Sequence, residues 1–155
     1  MAKGKCKSHG RLIAYVDGAS SGNPGPAGAG FVITDEDGRV LAERAIPLGQ
    51  ATNNVAEYRA VIGALHEAAA RGAREVTVRS DSELVIKQMR GEYKVKSKGL
   101  KGLYEWVKKL TTRFEGVQWE HVGREENRRA DELARQGTAR SKAMGGSRRG
   151  GGESR

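Results

Sequence analysis

The chain is poor in the residues on which several protein classes depend. It has one cysteine, Cys6, so no disulfide can close within it, and the composition fits a reducing, cytoplasmic setting. With that one cysteine and three scattered histidines, His9, His66 and His121, the donors of a structural zinc site are missing. No apolar run approaches the ~20 residues of a membrane-spanning helix, and no apolar stretch follows the basic N-terminus as a secretory signal would require. Aromatic residues make up only 5% of the sequence, too few for a surface built on base stacking. Trp106 and Trp119 are therefore expected in the core or against a sheet, and His66 on a partly exposed helix face.

Net charge is abundant but uneven. The 155 residues suit one domain and carry a formal charge of +9. Residues 1–11 contribute +4 through Lys3, Lys5, Lys7 and Arg11, and residues 140–155 another +4, which leaves +1 for the body between them. A polyanionic partner is suggested by the tails rather than by the domain, and solubilising tails would look the same.

Along the chain, residues 1–11 lack apolar periodicity and are expected to form a flexible arm. Leu12–Asp17 alternates and ends as a strand, and the Gly- and Pro-rich stretch Ala19–Gly30 is expected to be a turn. Gly30–Thr34 and Val40–Ile46 are two further strands, joined through Asp35–Gly38 as a hairpin. Val55, Tyr58, Ile62, Leu65 and Ala69 then recur at helical spacing until Gly72. Val76–Asp81 predicts a fourth strand and Leu84–Met89 a short helix. Leu100, Leu103, Val107, Leu110 and Phe114 mark another helix, Val117–Val122 a fifth strand, and Asn127–Arg140 the last helix. The Gly, Ser and Arg of residues 141–155 predict a disordered tail. Three meandering strands followed by alternating helix and strand imply an α/β domain over 12–140 with a mixed sheet.

Four acids stand out. Asp17 and Asp81 close apolar strands, Glu57 borders the apolar stripe of the first helix, and Asp131 lies early in the last. Taken singly, each has a structural reading: a turn start for Asp17, a helix cap for Asp81, a capping box with Asn54 for Glu57, and a favourable helix-dipole charge for Asp131. Converging, they would strain one another, because a buried carboxylate must neutralise or find a cation. The matching cations are Mg2+ or Mn2+, hard ions that take oxygen ligands.

The segments Tyr15-Val16-Asp17-Gly18, Gly22-Asn23-Pro24-Gly25-Pro26, Thr52-Asn53-Asn54-Val55-Ala56-Glu57, Ser80-Asp81-Ser82 and Ala130-Asp131-Glu132-Leu133-Ala134 closely resemble type 1 ribonuclease H. The resemblance runs from about residue 12 to about residue 139 and rests on five ordered motifs. It implies a ribonuclease H-like fold: a five-stranded mixed sheet of order 3-2-1-4-5, strand 2 antiparallel, with helices on both faces. It implies cleavage of the RNA strand of RNA–DNA hybrids with two Mg2+ or Mn2+ ions, giving 3′-hydroxyl and 5′-phosphate ends. Asp17 would bridge both ions, with Glu57, Asp81 and Asp131 completing their shells. Contacts to the hybrid are expected from Gly18, Ala19, Ser20, Asn23, Thr52, Asn53, Asn54 and Ser82, with double-stranded RNA or RNA–DNA junctions as further candidate substrates.

Two departures mark a short form of the family. The segment from Glu120 to Asn127 has no loop histidine: His121 is expected within the strand, with packing under the last helix as the alternative to catalysis, and Arg124 is the candidate loop residue for the scissile phosphate. The basic protrusion is also missing, with Lys94, Lys96, Lys98 and Lys101 as its local remnant. The resulting expectation is a monomeric, cytoplasmic endonuclease with no membrane partner. Another nuclease of the same fold, or a catalytically silent hybrid-binding module, remains as the alternative.

Overall fold

In the computed structural model of the protein, which describes residues 10–153, five strands form one sheet in the order β3-β2-β1-β4-β5. The strands are β1 Arg11–Ser20, β2 Gly25–Thr34, β3 Val40–Ala51, β4 Glu75–Ser80 and β5 Gly116–His121. The helices are α1 Asn53–Ala70, α2 Glu83–Met89, α3 Lys98–Thr111 and α4 Arg128–Glu153. β2 runs antiparallel to both β1 and β3, whereas β1–β4 and β4–β5 are parallel. This is the order and sense expected from the family resemblance. Among the described residues, no helix is long and apolar enough to cross a membrane.

Strand alternation divides the molecule into two layers. Leu12, Ala14 and Val16 of β1 and Ala29, Phe31 and Ile33 of β2 join Tyr58, Val61, Leu65 and Ala68 of α1 in the main core. α3 closes that core with Leu100, Val107 and Leu110, while Lys98, Lys101, Lys108 and Lys109 stay outside. The opposite face of β1, β2 and β3 is covered by α4.

The seat of α4 corrects one expectation. Ala19–Gly30 is not one long turn: β1 continues to Ser20, β2 begins at Gly25, and only Ser21–Pro24 turns, with a cis Asn23–Pro24 peptide. The glycines taken as turn signals let a helix lie directly on a strand. A Cβ on Gly28 would come within 2.3 Å of the Thr138 nitrogen, and one on Gly30 within 2.5 Å of the Ala134 nitrogen. No side chain fits between α4 and β2 at these positions.

Both ends of the expected domain also shift. Arg11 already belongs to β1, and the Gly10 carbonyl accepts from the Arg74 and Glu75 amides, so the arm is shorter than 1–11; residues 1–9 lie outside the described residues. The last helix does not stop at 140. Ser141 is buried, donates from Oγ to the Ala27 carbonyl (2.6 Å), and accepts from the Leu48 and Gly49 amides. It thereby fills an irregularity in the β2–β3 ladder, which an isolated serine in a Gly/Ser/Arg-rich stretch gave no reason to expect.

Candidate functional site

β1 and β4 lie side by side in parallel, with Val16 opposite Ser80, so Asp17 and Asp81 follow the last paired residues of neighbouring strands. Asp17 lies opposite Gly30 in the β1–β2 ladder and therefore faces the α4 side. Glu57 arrives from α1, whose N-cap is Thr52; its Oγ1 accepts from the Val55 amide at 3.2 Å. At Gly18, next to Asp17, α1 touches β1 through backbone alone: a Cβ there would sit 2.3 Å from the Glu57 nitrogen. The alternative reading of Glu57 as part of a capping box with Asn54 does not hold, because Glu57 is turned inward and only 5% exposed.

Each of Asp17, Glu57 and Asp81 offers a carboxylate oxygen within 4.8 Å of the others. Asp131, in the first turn of α4, lies near enough to Asp17 to help raise its carboxyl, but it does not join the three whose oxygens converge within 4.8 Å. Arg135, one turn on, pairs with Asp131 at 3.2 Å. Burial, the charge of Asp81 and the approach of Asp131 together push the Asp17 carboxyl up to about 8, against a smaller opposing effect of the Gly18 amide. Burial, then the charges of Asp17 and Asp81, likewise raises Glu57 well above the usual carboxylate range. Glu57 Oε1 is buried without a hydrogen-bond partner. An orphaned oxygen among three converging carboxylates is what a hard divalent cation with oxygen ligands would satisfy, so these residues fit Mg2+ or Mn2+.

The remaining expected residues separate into groups. Asn23, Thr52, Asn53 and Asn54 line a cleft of about 430 Å3 together with Ser97 and Gly99 at the start of α3. Within it, Asn23 Oδ1 accepts from the Asn53 amide at 3.0 Å, tying the β1–β2 turn to the head of α1. Gly18 is buried against α1, and Ala19 and Ser20 are half-buried at the end of β1. Ser82 caps α2 through the Val85 amide.

Arg124 is exposed and, among the described residues, its side chain makes no hydrogen bond or ion pair. His121 lies in β5 as expected, but it is exposed rather than packed under the last helix. Trp106 corrects another expectation: it is 43% exposed on α3, edge-on to the exposed His66, while Trp119 packs against the core. Lys94, Lys96, Lys98 and Lys101 are exposed along the short link from α2 into α3.

One residue of the site was missed. Asn127, just before α4, is fully buried and donates from Nδ2 to the Val16 carbonyl at 2.8 Å. In the sequence it reads as an ordinary helix start, and only its position four residues before Asp131 could have drawn notice.

Comparison with known proteins bears on this geometry. Residues 15–137 match the family described as reverse transcriptase-like. The bifunctional protein Rv2228c of Mycobacterium tuberculosis is 46% identical over 80% of this chain, which spans only 34% of that protein's length. A protein named ribonuclease H from Dinoroseobacter shibae is 43% identical, with 83% of this chain and 91% of that one covered. The solved structure of LC11-RNase H1 in complex with RNA/DNA hybrid superposes with a TM-score of 0.80 at 43% identity, covering 84% of this chain and 98% of that one.

Proposed function

The chain belongs to the type 1 ribonuclease H family, and from that premise we propose that it is an endonuclease that hydrolyses the RNA strand of RNA–DNA hybrids. The observation that carries this reading is the acid cluster: Asp17, Glu57 and Asp81 converge within 4.8 Å, with one buried oxygen left unpartnered. Clustered negative charge repels a phosphate backbone, so a pure binding module would gain nothing from it.

Asp17, Glu57, Asp81 and Asp131 would hold two divalent cations, Mg2+ or Mn2+. When bound, such ions activate water, neutralise the phosphoryl oxygens and stabilise the leaving oxygen, which leads to 3′-hydroxyl and 5′-phosphate ends. Asp17, which feels the charges of both Asp81 and Asp131, would be the central donor of this set. Glu57 approaches from the other layer, held against β1 by the Gly18 contact, so the donor set closes around the strand ends from both sides of the sheet. Burial of Asp17 and Glu57 keeps competing water from these oxygens.

The cleft of Asn23, Thr52, Asn53 and Asn54 would receive the hybrid's backbone. Exposed amide side chains, with the free amides at the start of α3, offer donors for phosphate and sugar oxygens without reading bases, so binding would be independent of sequence. Gly18, Ala19 and Ser20 lie at the end of β1 beside Asp17, and Ser82 follows Asp81, so both segments would line the substrate path in this reading. Arg124, exposed in the turn before α4, is free to reach the scissile phosphate. We read the protein as a cytoplasmic monomer.

The test is cleavage of a labelled RNA–DNA hybrid with Mg2+, then Mn2+, beside duplex DNA, duplex RNA, RNA–DNA junctions and the Asp17→Asn variant. Metal-dependent loss of the hybrid RNA strand, absent in the variant, is expected. Tight hybrid binding without cleavage in either metal would make the protein a binding module instead.

A further inference from the structure

The geometry points to Asn127 as a positioning residue that sets the distance between the Asp17 and Asp131 carboxylates. The inference rests on the metal-dependent reading above and deepens it.

Asn127 occupies the N-cap position of α4: its carbonyl accepts the first helical bond, from the Asp131 amide at 3.0 Å. Asparagine favours that position because its side-chain oxygen can accept from a free amide of the first turn. Here the cap is forgone. Nδ2 instead donates across 111 residues of sequence to the Val16 carbonyl at 2.8 Å, and Oδ1 is left buried with no partner. Val16 O belongs to the peptide group whose nitrogen is that of Asp17. One buried residue thus bonds through its side chain to the peptide carrying Asp17 and through its backbone to Asp131. Two acids separated by most of the chain are joined by a path of two hydrogen bonds.

A residue chosen for helix stability alone would cap the helix. Asn127 gives up its own cap and leaves an acceptor unsatisfied to make a link that ends at two acids. The far end of α4 provides the contrast. Ser141 also anchors this helix to the sheet, through Ala27, Leu48 and Gly49, but touches no member of the acid cluster. The two pins therefore allow position to be separated from stability.

The decisive variant is Asn127→Ser. Serine restores an ordinary N-cap, which supports folding, but is too short to keep the bond to Val16. Mn2+ binding is measured by isothermal titration calorimetry on the full chain for wild type, Asn127→Ser and Ser141→Ala, with thermal melts alongside. Losing a partner that orients a ligand weakens metal affinity by roughly 10- to 100-fold, so Asn127→Ser should bind Mn2+ about tenfold more weakly while melting near wild type. Ser141→Ala should melt lower with its Mn2+ affinity within about twofold of wild type. In hybrid cleavage, the Mn2+ concentration for half-maximal activity should rise in Asn127→Ser, with KM for hybrid unchanged.

Equal Mn2+ affinity in wild type and Asn127→Ser would overturn the inference and leave the proposed function standing. So would an equal loss of affinity in Ser141→Ala, or an Asn127→Ser protein that melts well below Ser141→Ala, since either outcome makes Asn127 a stability residue. Absence of Mn2+ binding by the wild type would overturn both.

Discussion

Replacing Asp17 with asparagine should stabilise the metal-free protein at neutral and alkaline pH while removing its response to metal. The folded state raises the Asp17 carboxyl from 3.8 to about 8, so it binds this proton more tightly than the unfolded chain does. The sign follows from linkage. Below about pH 4 both states are protonated and the site costs nothing; as pH rises through about 8 the wild type must ionise a buried acid or keep an unfavourable proton, and stability falls. A tenfold change in proton affinity is worth about 1.4 kcal/mol, which sets a ceiling of roughly 5 to 6 kcal/mol. An asparagine amide in the same position loses about 1 to 3 kcal/mol through imperfect hydrogen bonding, leaving a net gain of at most about 2 to 5 kcal/mol above pH 8. For a domain of this size that is on the order of 10 °C in Tm. Thermal melts followed by circular dichroism in EDTA, from pH 4 to pH 9, should therefore converge at the acid end and separate progressively toward the alkaline end. With Mg2+ at about 100 times its Kd, the wild type should gain roughly 2.7 kcal/mol and the variant far less. Parallel curves across the whole pH range, or equal stabilisation of both proteins by Mg2+, would refute the reasoning.

Other expectations come from single contacts. Gly30→Ala places a Cβ 2.5 Å from the Ala134 nitrogen, so urea denaturation should show a loss of about 3 kcal/mol, and kcat should fall even at low temperature because α4 carries Asp131. Arg135 is largely exposed and pairs with Asp131, an interaction worth about 0.2 to 1 kcal/mol; Arg135→Ala should lower the metal concentration for half-maximal activity by about two- to fivefold, and an increase would show that Arg135 assists rather than competes. Arg124→Ala should reduce turnover by about tenfold at unchanged KM if the side chain meets the scissile phosphate, and full turnover would remove it from the mechanism. Removing residues 1–9 takes away Lys3, Lys5 and Lys7; the salt dependence of KM should flatten with kcat unchanged, whereas an unaltered slope would mean that these lysines do not touch the hybrid.

The sheet order was legible through the family resemblance, and the convergence of Asp17, Glu57 and Asp81 through signals that are local and ordered. Alternating apolar residues end at Asp17 and at Asp81, helical periodicity passes beside Glu57, and the family motifs fix the sequence of elements. What escaped detection depends on partners far away in sequence. Gly28 and Gly30 have the composition of a turn, and only the proximity of α4 explains why they form a strand. Ser141 and Asn127 are small polar residues with no periodic signal, and each acquires its role from a carbonyl more than 100 residues away. Thr52 and Ser82, expected against the substrate, cap helices, a role that the same residue types at the same positions serve equally well. Trp106 was expected inside because aromatics are too few here for a base-stacking surface, but on α3 it stands 43% exposed, edge-on to His66 of α1.

The glycine contacts at Gly18, Gly28 and Gly30 bear on how the site responds to mechanical and thermal disturbance. Glu57 is located by backbone resting on backbone, and Asp131 by the same kind of contact at Gly30 together with the short Asn127 bond to Val16. Such a load path has few soft degrees of freedom, and its length is set by atomic radii rather than by how well a core happens to be filled. Loosening the apolar layer around Phe31, Val61 and Leu65 should therefore lower the melting temperature long before it alters the spacing of the acids. The molecule behaves as a rigid frame bolted to a more compliant filling, so stability and catalytic geometry can drift apart under mutation, each with its own tolerance.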